Sequence, residues 1–285
     1  MYGNVGLDRL NGGSTVPTLN RNDVHAQNVY TPPLPEQRKI ADFLSAVDEK
    51  IAHLSRKKAL LADYKKGCMQ QLFSQKIRFK DDDGNDFPDW EEKLVGDTLE
   101  FLSDYTANGS FAALKENVKY YNNEEYAALV RTTDLEKDTF IPQRFTDQRG
   151  YDFLKKTALF GGELIMSNVG NIGKVYRAPY YNAPMTLAPN TYTMRFKEQY
   201  DKDFIYQWML TTPFIEKITT LVGGGGLKAI NKSSFKSIKI MLPNLLEQRK
   251  IADFLSALDH KIDLVAQELT HARSFKAGLL QQMFV

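Results

Sequence analysis

The sequence predicts an α+β fold in which one globular domain lies between two long α-helices. The first observation behind this prediction is that eleven residues, EQRKIADFLSA, occur twice, beginning at Glu36 and at Glu247. The second is that each occurrence opens a long polar segment with helical spacing. The third is that the stretch between the two segments alternates short strand-like runs with helical ones.

The repeat extends well beyond the eleven residues without a gap. EQRKIADFLSAVDEKI and EQRKIADFLSALDHKI, which begin 211 positions apart, differ at only two places, Val47/Leu258 and Glu49/His260. The same offset aligns Pro32 with Pro243, Lys65 with Lys276, Gly67 with Gly278 and Phe73 with Phe284. The chain therefore contains a duplicated unit, which is a domain tail followed by a long polar segment.

The two polar segments, residues 36–79 and 247–285, are predicted to be helices that pair with each other. Their apolar residues recur at alternating steps of four and three, the spacing of a coiled-coil seam. The repeat suggests a pseudo-twofold arrangement, and so an antiparallel coiled coil. The predicted helix-pairing residues are Ile40, Leu44, Val47, Ile51, Leu54, Leu61, Ile251, Leu255, Leu258, Ile262, Val265 and Leu269. Lys65 and Lys276 fall at core-type positions, where a lysine weakens the seam locally and can help to fix its register.

Composition excludes several classes of protein. An apolar fraction of 42% supports a packed core, and the net charge of +2 is too small to indicate a polyanion partner by itself. The single cysteine, Cys68, rules out an intrachain disulfide framework and suits the reducing cytoplasm. No apolar run reaches the ~18 residues of a membrane span. Four scattered histidines argue against a structural zinc site, and we expect no cofactor.

Residues 80–246 are predicted to form the α+β domain. Ala158–Ala178 and Asn190–Phe196 alternate turns with β-branched or aromatic residues, which is typical of strands. Asp201–Val222 is predicted to be a helix broken at Pro213, with Ile215 on its apolar side. The stretch from Gly223 to Pro243 indicates a loop, a short capped turn and then a strand.

These features resemble the specificity subunit of type I restriction-modification systems. The resemblance lies in GGGGLKAINKSSFKSIKIMLP, in the EQRKIADFLSALDHKI that follows it and its earlier copy, in FPDWEEKLVGD and in GGELIMSNVGNIGKV. It covers essentially the whole chain and implies target-recognition domains that each read half of a bipartite double-stranded DNA sequence. It also implies long helices that set the spacer and dock methyltransferase (M) subunits, with restriction (R) motor subunits joining a complex that defends against phage.

The sequence departs from that family in its first segment. Residues 1–35 resemble only the C-terminal remnant of a first recognition domain, so the chain is expected to carry one complete recognition domain and both helices. Self-association and pairing with a separate first-domain fragment both remain open as partnerships.

Polar side chains at turns between strands are the predicted DNA-binding residues, because Arg, Lys, Asn and Gln are the side chains that pair with base edges. The set is Arg131, Thr132, Thr133, Ser167, Asn168, Asn171, Lys174, Asn190, Tyr192, Lys228 and Lys232. The glycines from Gly223 to Gly226 lack the spacing of a phosphate-binding loop. They are interpreted either as a structural turn or as a loop beside DNA that presents Lys228 or Lys232.

Two alternatives to a DNA-reading scaffold follow from the same residues. One is a truncated helical docking or decoy subunit that binds methyltransferase without reading DNA. The other is an independent nuclease or methyltransferase. The latter needs an acidic cluster or a cofactor loop, whereas Asp89, Glu91 and Lys93 are almost contiguous in a linker. No catalytic or metal-binding residues are predicted.

Overall fold

The computed structural model describes residues 21–26, 31–137, 139–222 and 229–283. They divide into two compact units, one formed by Met1–Lys66 with Ala257–Val285 and the other by Gly67–Ser256. No helix within these described ranges is long and apolar enough to cross a membrane.

The helices are α1 (Arg21–His25), α2 (Leu34–Phe73), α3 (Val95–Thr98), α4 (Phe111–Asn117), α5 (Thr132–Leu135), α6 (Gln148–Phe153), α7 (Lys202–Met209), α8 (Thr212–Val222), α9 (Lys232–Lys236) and α10 (Leu245–Met283). The strands are β1 (Glu91–Leu94), β2 (Leu99–Asp104), β3 (Ala127–Val130), β4 (Phe145–Thr146), β5 (Ala158–Leu159), β6 (Leu164–Ser167), β7 (Val175–Arg177), β8 (Met185–Leu187), β9 (Thr191–Phe196) and β10 (Lys239–Leu242). The predicted α+β fold with two long helices is confirmed.

The repeat is visible in where the helices begin. Helices α2 and α10 start at Leu34 and Leu245, which are equivalent positions of the two copies. The short helices α1 and α9 also occupy equivalent residues, so the structural duplication extends upstream of the eleven shared residues. Helix α2 ends at Phe73, six residues before the predicted end at residue 79.

In the first unit, α2 and α10 pair in antiparallel directions. Lys65 Nζ lies 2.6 Å from Asp259 Oδ1, and Lys276 Nζ lies 2.6 Å from Asp48 Oδ1. The 211-residue offset converts one of these ion pairs into the other, as a pseudo-twofold axis requires. The two lysines therefore extend from the seam to a carboxylate on the opposite helix.

An apolar cluster occupies the seam between these two ion pairs. Leu54, Val265 and Leu269 are buried, and Ile51, Leu61 and Ala272 pack against them. The predicted spacing, in which apolar residues recur at alternating steps of four and three, places side chains along such a seam.

The described strands of the second unit form three sheets. The antiparallel order β2-β9-β6-β7 forms one sheet, and β4-β3-β8-β5 forms another, in which β3 and β8 run parallel. Strands β1 and β10 pair antiparallel, with Glu91 opposite Leu242. Strand β1 lies near the start of the domain, and β10 directly precedes α10. Their pairing therefore places the start of the domain beside the start of the second long helix.

Helices α7 and α8 divide the predicted long helix close to Pro213, as expected. However, Ile215 is 50% exposed, whereas Phe214 and Ile218 are buried at 1% and 2%. The assignment of Ile215 to the apolar side was wrong. The helix is interrupted at residues 210–211, and α8 begins after this break. The buried face of α8 is therefore rotated relative to the face that a continuous helix would have buried.

Candidate functional site

A half-open cleft of about 520 Å³ lies in the unit formed by Gly67–Ser256. It is bounded by the turn after β2, by α4, and by the loops that follow β6 and precede β9. Its lining includes Tyr105, Phe111, Lys115, Tyr120, Asn168 and Asn190. Phe111 is 80% exposed and Tyr120 is 51% exposed, so aromatic surface is available to a ligand beside a lysine and two amides.

Backbone hydrogen bonds position the two amides. The Asn168 N–H donates to the Asn190 carbonyl at 3.1 Å, and the Ile230 N–H donates to the Asn168 carbonyl at 3.2 Å. Asn190 has φ of 70°, a left-handed conformation that asparagine tolerates better than most residues. The Asn190 side chain is therefore held at an exposed turn on the cleft wall.

The neighbouring turn between β6 and β7 depends on Gly173. Its φ is 85°, and a Cβ there would lie 2.9 Å from Ile218 Cγ2. A side chain at this position would be strained and would clash, so the glycine allows the turn to pack closely on α8.

The lining of the cleft includes a pair of tyrosines. The hydroxyl oxygens of Tyr105 and Tyr120 lie 2.6 Å apart. Burial, and then the hydrogen bond with Tyr120, raises the pKa of Tyr105 above its ordinary value. The Tyr105 hydroxyl is therefore protonated at neutral pH, and either of the two hydroxyls can donate the hydrogen bond between them.

Two of the predicted DNA-binding side chains are buried inside the domain. Tyr192 is 2% exposed, and its hydroxyl donates to the Ile230 carbonyl at 2.6 Å. Ser167 is 3% exposed and donates to the Val169 carbonyl. Because these groups are buried and already hydrogen-bonded, they support the cleft and do not present a surface to DNA.

Arg131 is partly exposed but is paired within its own domain. Its guanidinium donates two hydrogen bonds to the fully buried carboxylate of Asp134, at 2.7 and 2.8 Å. The hydrogen bond to Asp134 raises the pKa of Arg131. This bidentate pair fixes the start of α5, so Arg131 has a structural partner within its own domain.

Lys174 and Lys232, the two predicted lysines that the structure describes, are also paired with carboxylates. Lys174 Nζ lies 2.7 Å from Glu136 Oε1, to which the Tyr176 hydroxyl also donates, and Lys232 Nζ lies 3.0 Å from Asp104 Oδ1. The hydrogen bond from Lys174, followed by that from Tyr176, lowers the pKa of Glu136. Any phosphate that binds these lysines must compete with the domain's own carboxylates.

The other predicted DNA-binding residues are Thr132, Thr133, Asn171 and Lys228. Thr132 and Thr133 open α5, the first half-buried and the second exposed. Asn171 is exposed, and its carbonyl accepts a hydrogen bond from the Lys174 N–H. Lys228 lies outside the described residues.

Phe111, Lys115 and Tyr120 were missed by sequence reasoning. They belong to a segment around α4 that carries no strand-turn pattern, and they reach the cleft only because the chain brings that segment beside the β6 and β9 loops. The sequence offers one local indication of this segment, an aromatic residue, Phe111, directly after a serine that can cap a helix. In the structure the Ser110 side chain accepts a hydrogen bond from the Ala113 N–H at the start of α4.

A buried polar junction joins the same domain to the start of α10. Glu247 is fully buried, and its carboxylate accepts hydrogen bonds from Arg78 Nε and Nη2 at 3.1 and 2.7 Å and from Trp90 Nε1 at 3.2 Å. The hydrogen bond to Glu247 raises the pKa of Arg78. Both oxygens of a buried carboxylate are thereby satisfied.

Apolar contacts surround this junction. Phe79 lies 5.8 Å from Phe254 and Phe73 lies 5.3 Å from Phe204, measured between ring centroids. Ile251 and Leu255 are 1% and 0% exposed. These two predicted helix-pairing residues are therefore buried in the unit that contains the domain.

The equivalent face of the first copy is solvent-exposed. Glu36 is exposed, and within the described parts of the chain its carboxylate has no hydrogen-bond or ion-pair partner. Phe43, the counterpart of Phe254, is 46% exposed. Three further predicted pairing residues, Ile40, Leu44 and Val47, are half-buried, as is Ile262 of α10, while Leu258 is 6% exposed.

Solved structures share this fold at low sequence identity. An S subunit of a type I restriction-modification system from M. genitalium matches with a TM-score of 0.57 at 16% identity, covering 98% of this chain and 68% of that one. A second match is a chain from a structural study of the complex assembly and conformational transition of a type I R-M system. Its TM-score is 0.54 at 17% identity, and the match covers 95% of this chain and 65% of that one.

Sequence comparisons agree with the structural ones. Two type I restriction enzyme specificity subunits of Methanocaldococcus jannaschii, MjaX and MjaVIII, are 26% and 24% identical over 274 and 279 residues, or 92% and 94% of this chain. The chain spans 60% and 64% of their respective lengths. The profile described as the type I restriction modification DNA specificity domain matches residues 6–62 and 88–272. The chain therefore belongs to the type I restriction-modification DNA specificity family.

Proposed function

We propose that this chain is a DNA-sequence-reading and scaffolding subunit of a type I restriction-modification complex. The observation that carries the proposal is the cleft, which combines Asn168, Asn190, Lys115 and the exposed ring of Phe111. Amides pair with base edges, whereas lysines hold phosphates. Family membership supports double-stranded DNA as the ligand.

Asn190 is the leading candidate for a base contact. It is exposed, it lines the cleft, and its amide can donate to N7 and accept from N6 of adenine. Lys115, Lys174 and Lys232 are candidates for phosphate contacts that set the register of the domain on the duplex.

Catalysis then belongs to partner subunits in the cytoplasm. The paired helices α2 and α10 present a long polar surface on which methyltransferase subunits can dock, and restriction subunits join the complex through them. Within the described residues, no group of three metal-ligating side chains occurs that could hold a catalytic ion, and the proposal needs none in this chain.

Methylation of a randomised duplex library by the chain together with its methyltransferase subunit tests the proposal. We expect one bipartite sequence class to be methylated. Asn190→Gly keeps a residue suited to the left-handed backbone while removing the amide, so it should relax one base position without unfolding the domain. Asn182→Gly, at an exposed asparagine that does not line the cleft, is the matched control. Methylation without sequence preference in every subunit combination would contradict DNA reading and leave only helical docking.

The ion pairs provide a second test by DNA-binding measurements in that complex. Glu136→Gln removes the carboxylate that neutralises Lys174, so we expect DNA affinity to increase by about threefold, with a steeper salt dependence. Lys239 and Glu92 form a comparable exposed pair at 2.8 Å on the β1–β10 sheet, and Glu92→Gln should leave affinity unchanged. Equal effects from both substitutions would show that the Glu136 end of the domain does not face DNA.

A further inference from the structure

The cleft beside α4 is concave, and its shape limits which part of DNA can enter it. The edges of paired bases lie on the floor of the grooves, so proteins read them with a helix or a ribbon that projects into the groove. The cleft is instead a recess of about 520 Å³, within the range of roughly 300–1,000 Å³ that encloses small molecules. A paired base cannot reach its interior, whereas a base that has left the stack can.

Aromatic and apolar side chains form one wall of the cleft. Phe111 and Tyr120 line it and are 80% and 51% exposed. Leu114 and Val118, from the same segment, are 3% and 6% exposed and pack with Tyr105 in one core cluster. The wall is therefore held firmly from behind while its two outer rings are open to a ligand. Stacking on such rings accepts any nucleobase, because every base has a π-face.

Polar groups complete the lining with the chemistry that an unpaired nucleotide requires. Asn190 is exposed at its turn, and its amide can both donate to and accept from the edge of a base. The Tyr120 hydroxyl, 2.6 Å from that of Tyr105, adds a second hydrogen-bonding group. Lys115 is exposed and has no ion-pair partner within the described residues, whereas Lys232 is paired with a carboxylate. Lys115 is therefore free to bind a phosphate.

We propose that the cleft receives one nucleobase that is extruded from the bound DNA duplex. Phe111 and Tyr120 provide the stacking surface, Asn190 reads the polar edge of the base, and Lys115 binds a phosphate next to it. The inference rests on the proposed DNA-reading function and specifies the state of one base that is read. It requires no catalytic group in this chain, because extrusion changes only pairing and stacking.

Mismatched duplexes test this inference in the complex of the full chain with its methyltransferase subunit. Extrusion breaks a base pair, so a mismatch opposite the extruded base lowers the cost and tightens binding. A base that is read in the groove gains nothing from losing its partner. The measurement replaces, one at a time, the base opposite each position of the target found in the methylated library. The methylated base is left out of this scan, because methyltransferases extrude their own target base.

We expect one scanned position at which the mismatch tightens binding by at least about fivefold. Phe111→Ala should abolish this preference for the mismatch and weaken binding of the mismatched duplex by about tenfold. Phe160→Ala is the matched control, since Phe160 is 69% exposed and does not line the cleft, and it should leave the preference unchanged. The ratio of the two affinities is compared, so a general loss of DNA binding cancels.

The outcomes separate this inference from the proposed function. Sequence-specific methylation with no mismatch that tightens binding would overturn the extruded base and leave DNA reading in place. A preference that survives Phe111→Ala, or that Phe160→Ala removes equally, would place the extruded base outside the cleft and would also overturn the proposal. Methylation without any sequence preference would contradict DNA reading itself.

Discussion

The eleven residues EQRKIADFLSA lie in two different environments within one chain. In α10 the segment buries Ile251 and Leu255 almost completely, whereas in α2 the identical residues Ile40 and Leu44 are only half-buried. Helix formation is the same in both copies, since both helices begin at equivalent residues. The comparison separates what the segment does by itself, which is to form a helix, from what a packed domain adds, which is burial.

The largest expected difference between the copies comes from the apolar core of the segment. Leu255→Ala removes a fully buried side chain and should lower the free energy of unfolding by about 3 kcal/mol. Leu44→Ala, its matched control, should cost less than about 1 kcal/mol because the side chain is already half in water. Urea unfolding followed by tryptophan fluorescence reports on Leu255, since Trp90 and Trp208 both lie in the unit formed by Gly67–Ser256. Equal losses measured by circular dichroism would contradict the difference in burial.

The buried carboxylate should show the next largest effect. Glu247→Gln removes the buried counter-charge of the Arg78 guanidinium and leaves only the exposed carboxylate of Asp89 at 3.7 Å. We expect a loss of about 2 kcal/mol in the free energy of unfolding. Glu36→Gln should change it by less than about 0.5 kcal/mol, because Glu36 is exposed. Thermal and urea unfolding of both variants, at the same pH, provide the measurement. A loss as large for Glu36 would mean that the carboxylate already has a buried partner.

The two seam ion pairs should differ least. The side chains of Lys65 and Asp259 are 11% and 32% exposed, against 30% and 54% for Lys276 and Asp48. Because exposed pairs are screened by water, double-mutant cycles should give a coupling of about 1 kcal/mol for the first pair and roughly 0.3 kcal/mol for the second. The reverse order would show that burial does not control these equivalent contacts.

The helices were predictable from sequence because their signal is local. A four-and-three spacing repeated over several turns needs no knowledge of tertiary contacts, and the same spacing placed Lys65 and Lys276 at the seam. The boundaries were less predictable. Helix α2 ends at Phe73, and nothing in the polar stretch that follows distinguishes a helical residue from a linker residue.

The cleft was only partly predictable because distant segments build it. Turn chemistry identified Asn168 and Asn190, which both line it. The same chemistry could not show that Tyr192 points inward to the Ile230 carbonyl, or that α4 brings Lys115 to the same cleft. Which face of a short strand or helix is buried depends on the sheet order, and sheet order is a property of the whole domain.

The seam contacts join residues that are far apart along the chain, and this has a consequence for the order of folding. Lys65 and Asp259 are separated by 194 positions, so closing that loop in an unfolded chain costs conformational entropy before any contact forms. The domain removes much of this cost when it folds, because Arg78 and Glu247 then meet directly and hold the neighbouring helix ends together. We therefore expect the domain to fold first. The two helices should then pair progressively, beginning with the residues closest in sequence to Arg78 and Glu247. A substitution that destabilises the domain should therefore slow the association of the two helices, even when every seam residue is unchanged.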